Sequence, residues 1–223
     1  MTRSFHLAFV IAVVFGITCP HGSAFGQSAP AATAASSALS QDKHGGLTVS
    51  VDPYTDAHRA KDKFGKAANP VSVGILPVDV YFKNDTPHAM RVNLETVQLE
   101  VKSGEETHQY VDWLTVGQVA NMIRHPGGSP SAPSARRFPV GIPVPGKDKK
   151  VDTIVDQLRP FVLSSNVIPP LGTIHGFLFF DVSHDFSAAQ KASLYLPDVV
   201  LLPDQTPLMF FEVPLTKGSA TMD

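Results

Sequence analysis

The chain of 223 residues has a single cysteine, Cys19, so it lacks the means for an internal disulfide or a cysteine-built metal centre. A dominant charge is missing as well. Eighteen basic side chains stand against twenty acidic ones for a formal net charge of -2, and a surface so balanced does not gather nucleic acid. Signatures of familiar chemistries are absent: there is no Gly-x-Ser-x-Gly elbow, no His-Glu-x-x-His helix and no phosphate-cradling glycine loop. These gaps point to a non-catalytic protein that takes no cofactor. What is present is 43% hydrophobic and 9% aromatic, which suffices for a packed core without a staple.

The N-terminal residues read as an export signal. Arg3 supplies the positive start, and 7–17 (LAFVIAVVFGI) is an uncharged run too short to span a bilayer comfortably. Small-x-small cleavage sites end at Ala24 and at Gly26, and the second sets the expected leader at 1–26. Cys19, at the end of the apolar run, offers a lipid-anchored alternative, although Gly16-Ile17-Thr18 departs from the bacterial lipobox pattern. Contact with a membrane is expected only in that case. Residues 27–46 are rich in Ala, Ser, Pro and Thr and lack the apolar groups that would offset the entropy of ordering, so they read as a flexible tether. The folded domain is expected over 47–217, with a disordered tail at 218–223.

Within that domain the dominant period is two residues. Leu47, Val49 and Val51 alternate before Pro53, and Leu76, Val78, Val80 and Phe82 alternate in 74–83 ahead of the turn Asn84-Asp85-Thr86-Pro87. Met90, Val92 and Leu94 share a face, but Val97, Leu99 and Val101 take the opposite parity, which predicts a break or bulge near Glu95-Thr96. Residues 108–113 read as a short strand. In 173–182 (TIHGFLFFDV), Ile174, Leu178, Phe180 and Val182 lie opposite Thr173, His175 and Asp181. Runs 193–202 and 207–215 flank Pro203-Asp204-Gln205-Thr206 and predict an antiparallel hairpin, with Met209, Phe211, Val213 and Leu215 facing inward.

Two segments carry a helical period instead. Residues 114–124 place Val116, Val119, Ala120 and Ile123 on one face, with Thr115 and Gln118 at capping-box spacing. Residues 151–163 place Val151, Ile154, Val155, Leu158 and Val162 together, with Pro160 ending the helix at Arg159. Residues 55–64 are polar almost throughout and read as a solvated connection with a helical turn. The stretch 126–150 has no period and predicts a long Pro- and Gly-rich loop.

Strands divided by turn signals, with no repeating strand-helix order, predict a mainly β fold: an antiparallel sandwich with one or two short helices in its connections. The succession of GILPVDVYFKNDTP, VQLEV, PPLGTIHGFLFFDV and LYLP resembles exported bacterial immunoglobulin-like β-sandwich domains. That resemblance covers most of 47–217 and implies binding or scaffolding, with no catalytic residues to carry over.

Candidate sites are few. The basic concentration Arg136, Arg137, Phe138, Lys147, Lys149 and Lys150 makes the loop the expected contact surface for an envelope protein or a cell-wall component. Asp181, His184 and Asp185 are the alternative, carboxylate and imidazole ligands for a metal-assisted hydrolase; the plain reading is a polar strand end and a helix cap. Tyr110 and Trp113 are pocket candidates, with a core role as the plain reading for the lone Trp. His175 reads as a partly covered surface residue. A third reading makes the chain a subunit of a larger envelope assembly, in which a partner covers an exposed face carrying Phe177 and Phe179.

Overall fold

A computed structural model describes residues 39–102, 108–127, 135–137, 143–145 and 148–216, with the backbone alone at 135–137 and 143–145. The architecture is mainly β. Strand alternation sorts the side chains into two layers, and every strand pairing is antiparallel. The first sheet runs in the order β1 (Ser40–His44), β2 (Leu47–Pro53), β3 (Ile75–Asn84), β10 (Thr173–Asp181). A second has the order β14 (Phe211–Pro214), β11 (Ala192–Leu196), β5 (Gln98–Lys102), β6 (His108–Asp112), and a third β13 (Thr206–Pro207), β12 (Val199–Leu201), β4 (Met90–Val92), β9 (Val167–Ile168). Two short strands, β7 (Ala135–Arg137) and β8 (Pro143–Pro145), pair with each other.

The inward set of the first sheet packs on the second and third. Leu47, Val49, Leu76, Val78, Val80, Phe82, Leu178 and Phe180 are fully buried against Met90, Leu99, Leu194, Leu196, Ile168, Phe211 and Val213. Each such side chain contributes about 1.5–3 kcal/mol of burial, which is why the alternation is strict on this face. The parity change after Val92 is a one-turn 3₁₀ segment, Leu94–Thr96, that divides β4 from β5 and sends them to different sheets.

The outer face of the first sheet carries a second core. Helices α1 (Ala57–Phe64), α2 (Val116–Arg124) and α3 (Lys149–Leu158) lay Phe64, Val119, Ala120, Ile154 and Leu158 over Ile75, Phe177 and Phe179. Phe64 meets Phe177 edge-on at 4.9 Å, and Tyr54 does the same at 5.0 Å. Phe177 and Phe179 are therefore buried by this chain's own helices, and the expected open face for a partner is overturned. Residues 55–64 are likewise corrected. Asp56 caps α1 by accepting from the Arg59 amide, and Ala60 and Phe64, four residues apart, form the short apolar stripe that docks it.

Other expectations meet a mixed outcome. The capping box at Thr115 and Gln118 is present, and α3 ends at Leu158, followed by a 3₁₀ turn through Pro160. Lys149 and Lys150 are not loop residues, because the Asp148 side chain accepts from the Lys150 amide and starts α3 there. Strand β1 lies inside the stretch expected to be a tether. Its residues are polar and half-exposed, so they give no apolar alternation, and the hairpin signal is instead Gly45-Gly46, both at positive φ. The hairpin at 193–215 forms, but it is split into β11 with β14 and β12 with β13, and Met209 is 71% exposed rather than inward.

Edge strand β10 is closed off by backbone. The Leu114 amide donates to the Phe179 carbonyl at 2.7 Å, and the Leu163 amide donates to the Phe177 carbonyl at 3.3 Å. Gly176 makes the second contact feasible, since a Cβ there would lie 2.5 Å from the Leu163 backbone.

Candidate functional site

The solvent face of the sheet β14-β11-β5-β6 carries a line of aromatic rings. Val111, Leu99 and Leu194 point inward, so the alternate positions Tyr110, Glu100, Gln98 and Tyr195 point out. Tyr110 on β6 and Tyr195 on β11 lean over β5 until their rings are 6.3 Å apart, and Phe210, just before β14, lies 5.8 Å from Tyr195. Tyr110 is 52% and Phe210 48% exposed. Neighbouring rings are inclined by 57° and 47°, so the strip is corrugated.

Polar groups are set between and beside the rings. Gln98 Nε2 donates to Asp112 Oδ1 at 2.8 Å, and Lys102 Nζ donates to Glu212 Oε1 at 2.9 Å. The Lys102 ammonium beside Glu212 holds that carboxyl below the usual range, and the lysine is raised in return. Glu100, buried beneath the strip, is hydrogen-bonded to His108 Nδ1. Every one of these side chains is orientated by a partner, so the face is ordered before anything binds.

A second polar cluster sits where the helix layer ends on the first sheet. Asp79, Tyr81 and His175 are outward residues of β3 and β10, with Asp79 paired to Phe177 and Tyr81 to His175 in register. The Asp79 side chain is 3% exposed. Tyr81 Oη donates to Asp79 Oδ2 at 3.0 Å, whereas Oδ1 has no hydrogen-bond partner, and His175 Nδ1 stands 3.6 Å from it, too far for one. Burial pushes the Asp79 carboxyl up, offset only in part by Tyr81 and His175, and burial likewise raises the Tyr81 and Tyr54 hydroxyls. The His175 ring stacks on Tyr81 at 5.0 Å with 59% of its side chain exposed, as expected for a partly covered surface residue. Nearby, Arg59 lies 3.7 Å over the Tyr54 ring and donates to Asp52 through Nη1 and Nη2, which raises the guanidinium further.

The sites expected from the sequence fare differently. Asp181 Oδ1 accepts from the Ser183 amide at 2.9 Å, and Asp185 Oδ1 from Ser187 Oγ and the Ala188 amide, while His184 packs on Gly74. Asp181 and Asp185 line a crevice of about 310 Å3 with Lys102, Lys191 and Gln109, yet each is engaged as a local cap and His184 turns elsewhere. Among the described residues no three His, Cys, Asp or Glu side chains gather as a metal site, and Asp181, His184 and Asp185 do not converge. Of the basic loop, Phe138 and Lys147 lie outside the described residues, and Arg136 and Arg137 are known by backbone alone, on β7. Trp113 is half-buried, donating to the Leu94 carbonyl at 2.7 Å, and so parts company with Tyr110.

Spacing along the chain does not unite the aromatic strip. Parity marks Tyr110, Tyr195 and Phe210 as outward, but only the strand order β14-β11-β5-β6 makes them neighbours.

No family model matches the chain, and no curated protein does. Among solved structures the chain is similar, at 15% identity, to a functionally unknown protein from Listeria monocytogenes EGD-e. The match covers 78% of this chain and 83% of that one with a TM-score of 0.33, a value that carries no argument about fold or activity. No helix among the described residues is long and apolar enough to cross a membrane.

Proposed function

We propose that this chain is an exported, non-catalytic binding protein of the cell envelope, built on an immunoglobulin-like antiparallel sandwich. The observation that carries the reading is the half-exposed line of Tyr110, Tyr195 and Phe210 on an ordered sheet face. Large apolar rings left in water are unfavourable for a lone domain, and rigid aromatics with a polar tip are the groups binding surfaces use. Support for the sandwich type comes from sheet neighbours far apart in sequence, such as β3 with β10 and β5 with β11. Support for export comes from the leader-like pattern of 1–26.

Two measurements test it. Expressed in a bacterium at full length, the protein is expected outside the cytoplasm with a new N-terminus at Gln27; an intact Met1 in the cytoplasm sinks the export half. Sedimented with a bacterial envelope fraction, the mature protein is expected in the pellet, and the Tyr110→Ala, Tyr195→Ala double variant in the supernatant. Equal sedimentation of both would remove the aromatic face from the account.

A further inference from the structure

Resting on the reading of that face as a binding surface, we propose that its ligand is a neutral polysaccharide, laid across the strands over Phe210, Tyr195 and Tyr110. The choice follows from what surrounds the rings. Protein interfaces deplete charged residues at their centre. Here Gln98 and Glu100 lie under and between the rings, with Asp112, Glu212 and Lys102 beside them. An apolar protein patch would have to bury those groups without replacing their water. A sugar chain does not, because its hydroxyls both donate to carboxylates and accept from an amide or ammonium, while its C–H faces stack on aromatic rings.

Charge narrows the class. Among the described residues the face exposes the carboxylates Asp112 and Glu212 with one ammonium, Lys102, while Glu100 is buried and engaged with His108. A polymer bearing carboxylates or phosphates would meet like charge there, whereas a neutral glycan is indifferent to it. Shape agrees with chemistry. The half-exposed rings are inclined to one another along one sheet face, which suits a long chain with successively rotated units.

The test uses the full mature chain mixed with insoluble chitin, with crystalline cellulose and with immobilised polygalacturonate. Depletion from solution is expected with chitin or cellulose and not with polygalacturonate. Tyr110→Ala, at an exposed edge position, should weaken it about fivefold or more with thermal unfolding unchanged, and Tyr195→Phe, which keeps the ring, should retain it. Three results would overturn the proposal: no depletion by either neutral polymer, depletion undiminished in Tyr110→Ala, or preference for polygalacturonate. If the polymers fail but the double tyrosine variant still loses the envelope pellet, the face binds a protein, so the glycan falls and the binding reading stands. If the pellet too is indifferent to the variant, both fall.

Discussion

The two faces of the β3–β10 pair differ in almost everything but their backbone. Toward the sandwich, Leu76, Val78, Val80, Phe82, Leu178 and Phe180 are fully buried and uniformly apolar. Away from it, Ile75, Phe177 and Phe179 lie under helices, and Asp79, Tyr81 and His175 follow at the margin where that cover stops. The inner face is closed by other strands of the same alternation. The outer face depends on three helices drawn from separate connections, so its composition changes from oil to polar groups within one strand.

The comparison can be broken most forcefully at Phe179 and Phe180, adjacent residues that point into opposite cores. Replacing either with Ala is expected to remove about 3–5 kcal/mol in urea unfolding. Amide exchange sharpens the contrast: in Phe179→Ala the α1 and α2 amides should exchange faster at low denaturant, while in Phe180→Ala they should open only with the whole domain. Equal behaviour would mean one core, not two. Gly176→Ala comes next, with an expected loss of about 1–3 kcal/mol because its new methyl meets the Leu163 backbone rather than a movable side chain.

A smaller effect tests the polar margin through pH. Because the folded Asp79 carboxyl is raised above its ordinary 3.8, the native chain holds that proton to higher pH than the unfolded chain does. Its contribution to stability is greatest at acid pH and falls as pH rises from the ordinary value through the folded one. Asp79→Asn should erase that part of the fall and leave the protein more stable than its parent at pH 7; a variant with an unchanged profile would disprove the assignment. Least of all, Arg59→Ala should remove at most about 1 kcal/mol, since its pair with Asp52 is partly solvated.

Much of the sandwich face was legible before the structure. Strict alternation marked Leu47 to Val51 and Leu76 to Phe82, and the parity change near Glu95 marked the crossing between sheets. Helix α1 was not, because two apolar residues in eight, Ala60 and Phe64, leave hardly any stripe to see. The same limit hid β1, a polar edge strand recognisable only through Gly45-Gly46. Neither Asp181 with His184 and Asp185 nor Asp79 with His175 could be judged from spacing. The first trio is close in sequence and turns apart, and the second pair is distant in sequence and meets across two paired strands.

By itself, then, the order of residues determined which side chains seek water and which avoid it, and hence the apolar strands, two of the helices and the mainly β character. That information is local, since a two-residue or 3.6-residue period is written into neighbouring positions. Which strands lie side by side is settled by long-range packing. That step alone buried Phe177 and Phe179 under the helices, left Asp79 with an unmatched oxygen, and brought Tyr110, Tyr195 and Phe210 into one line.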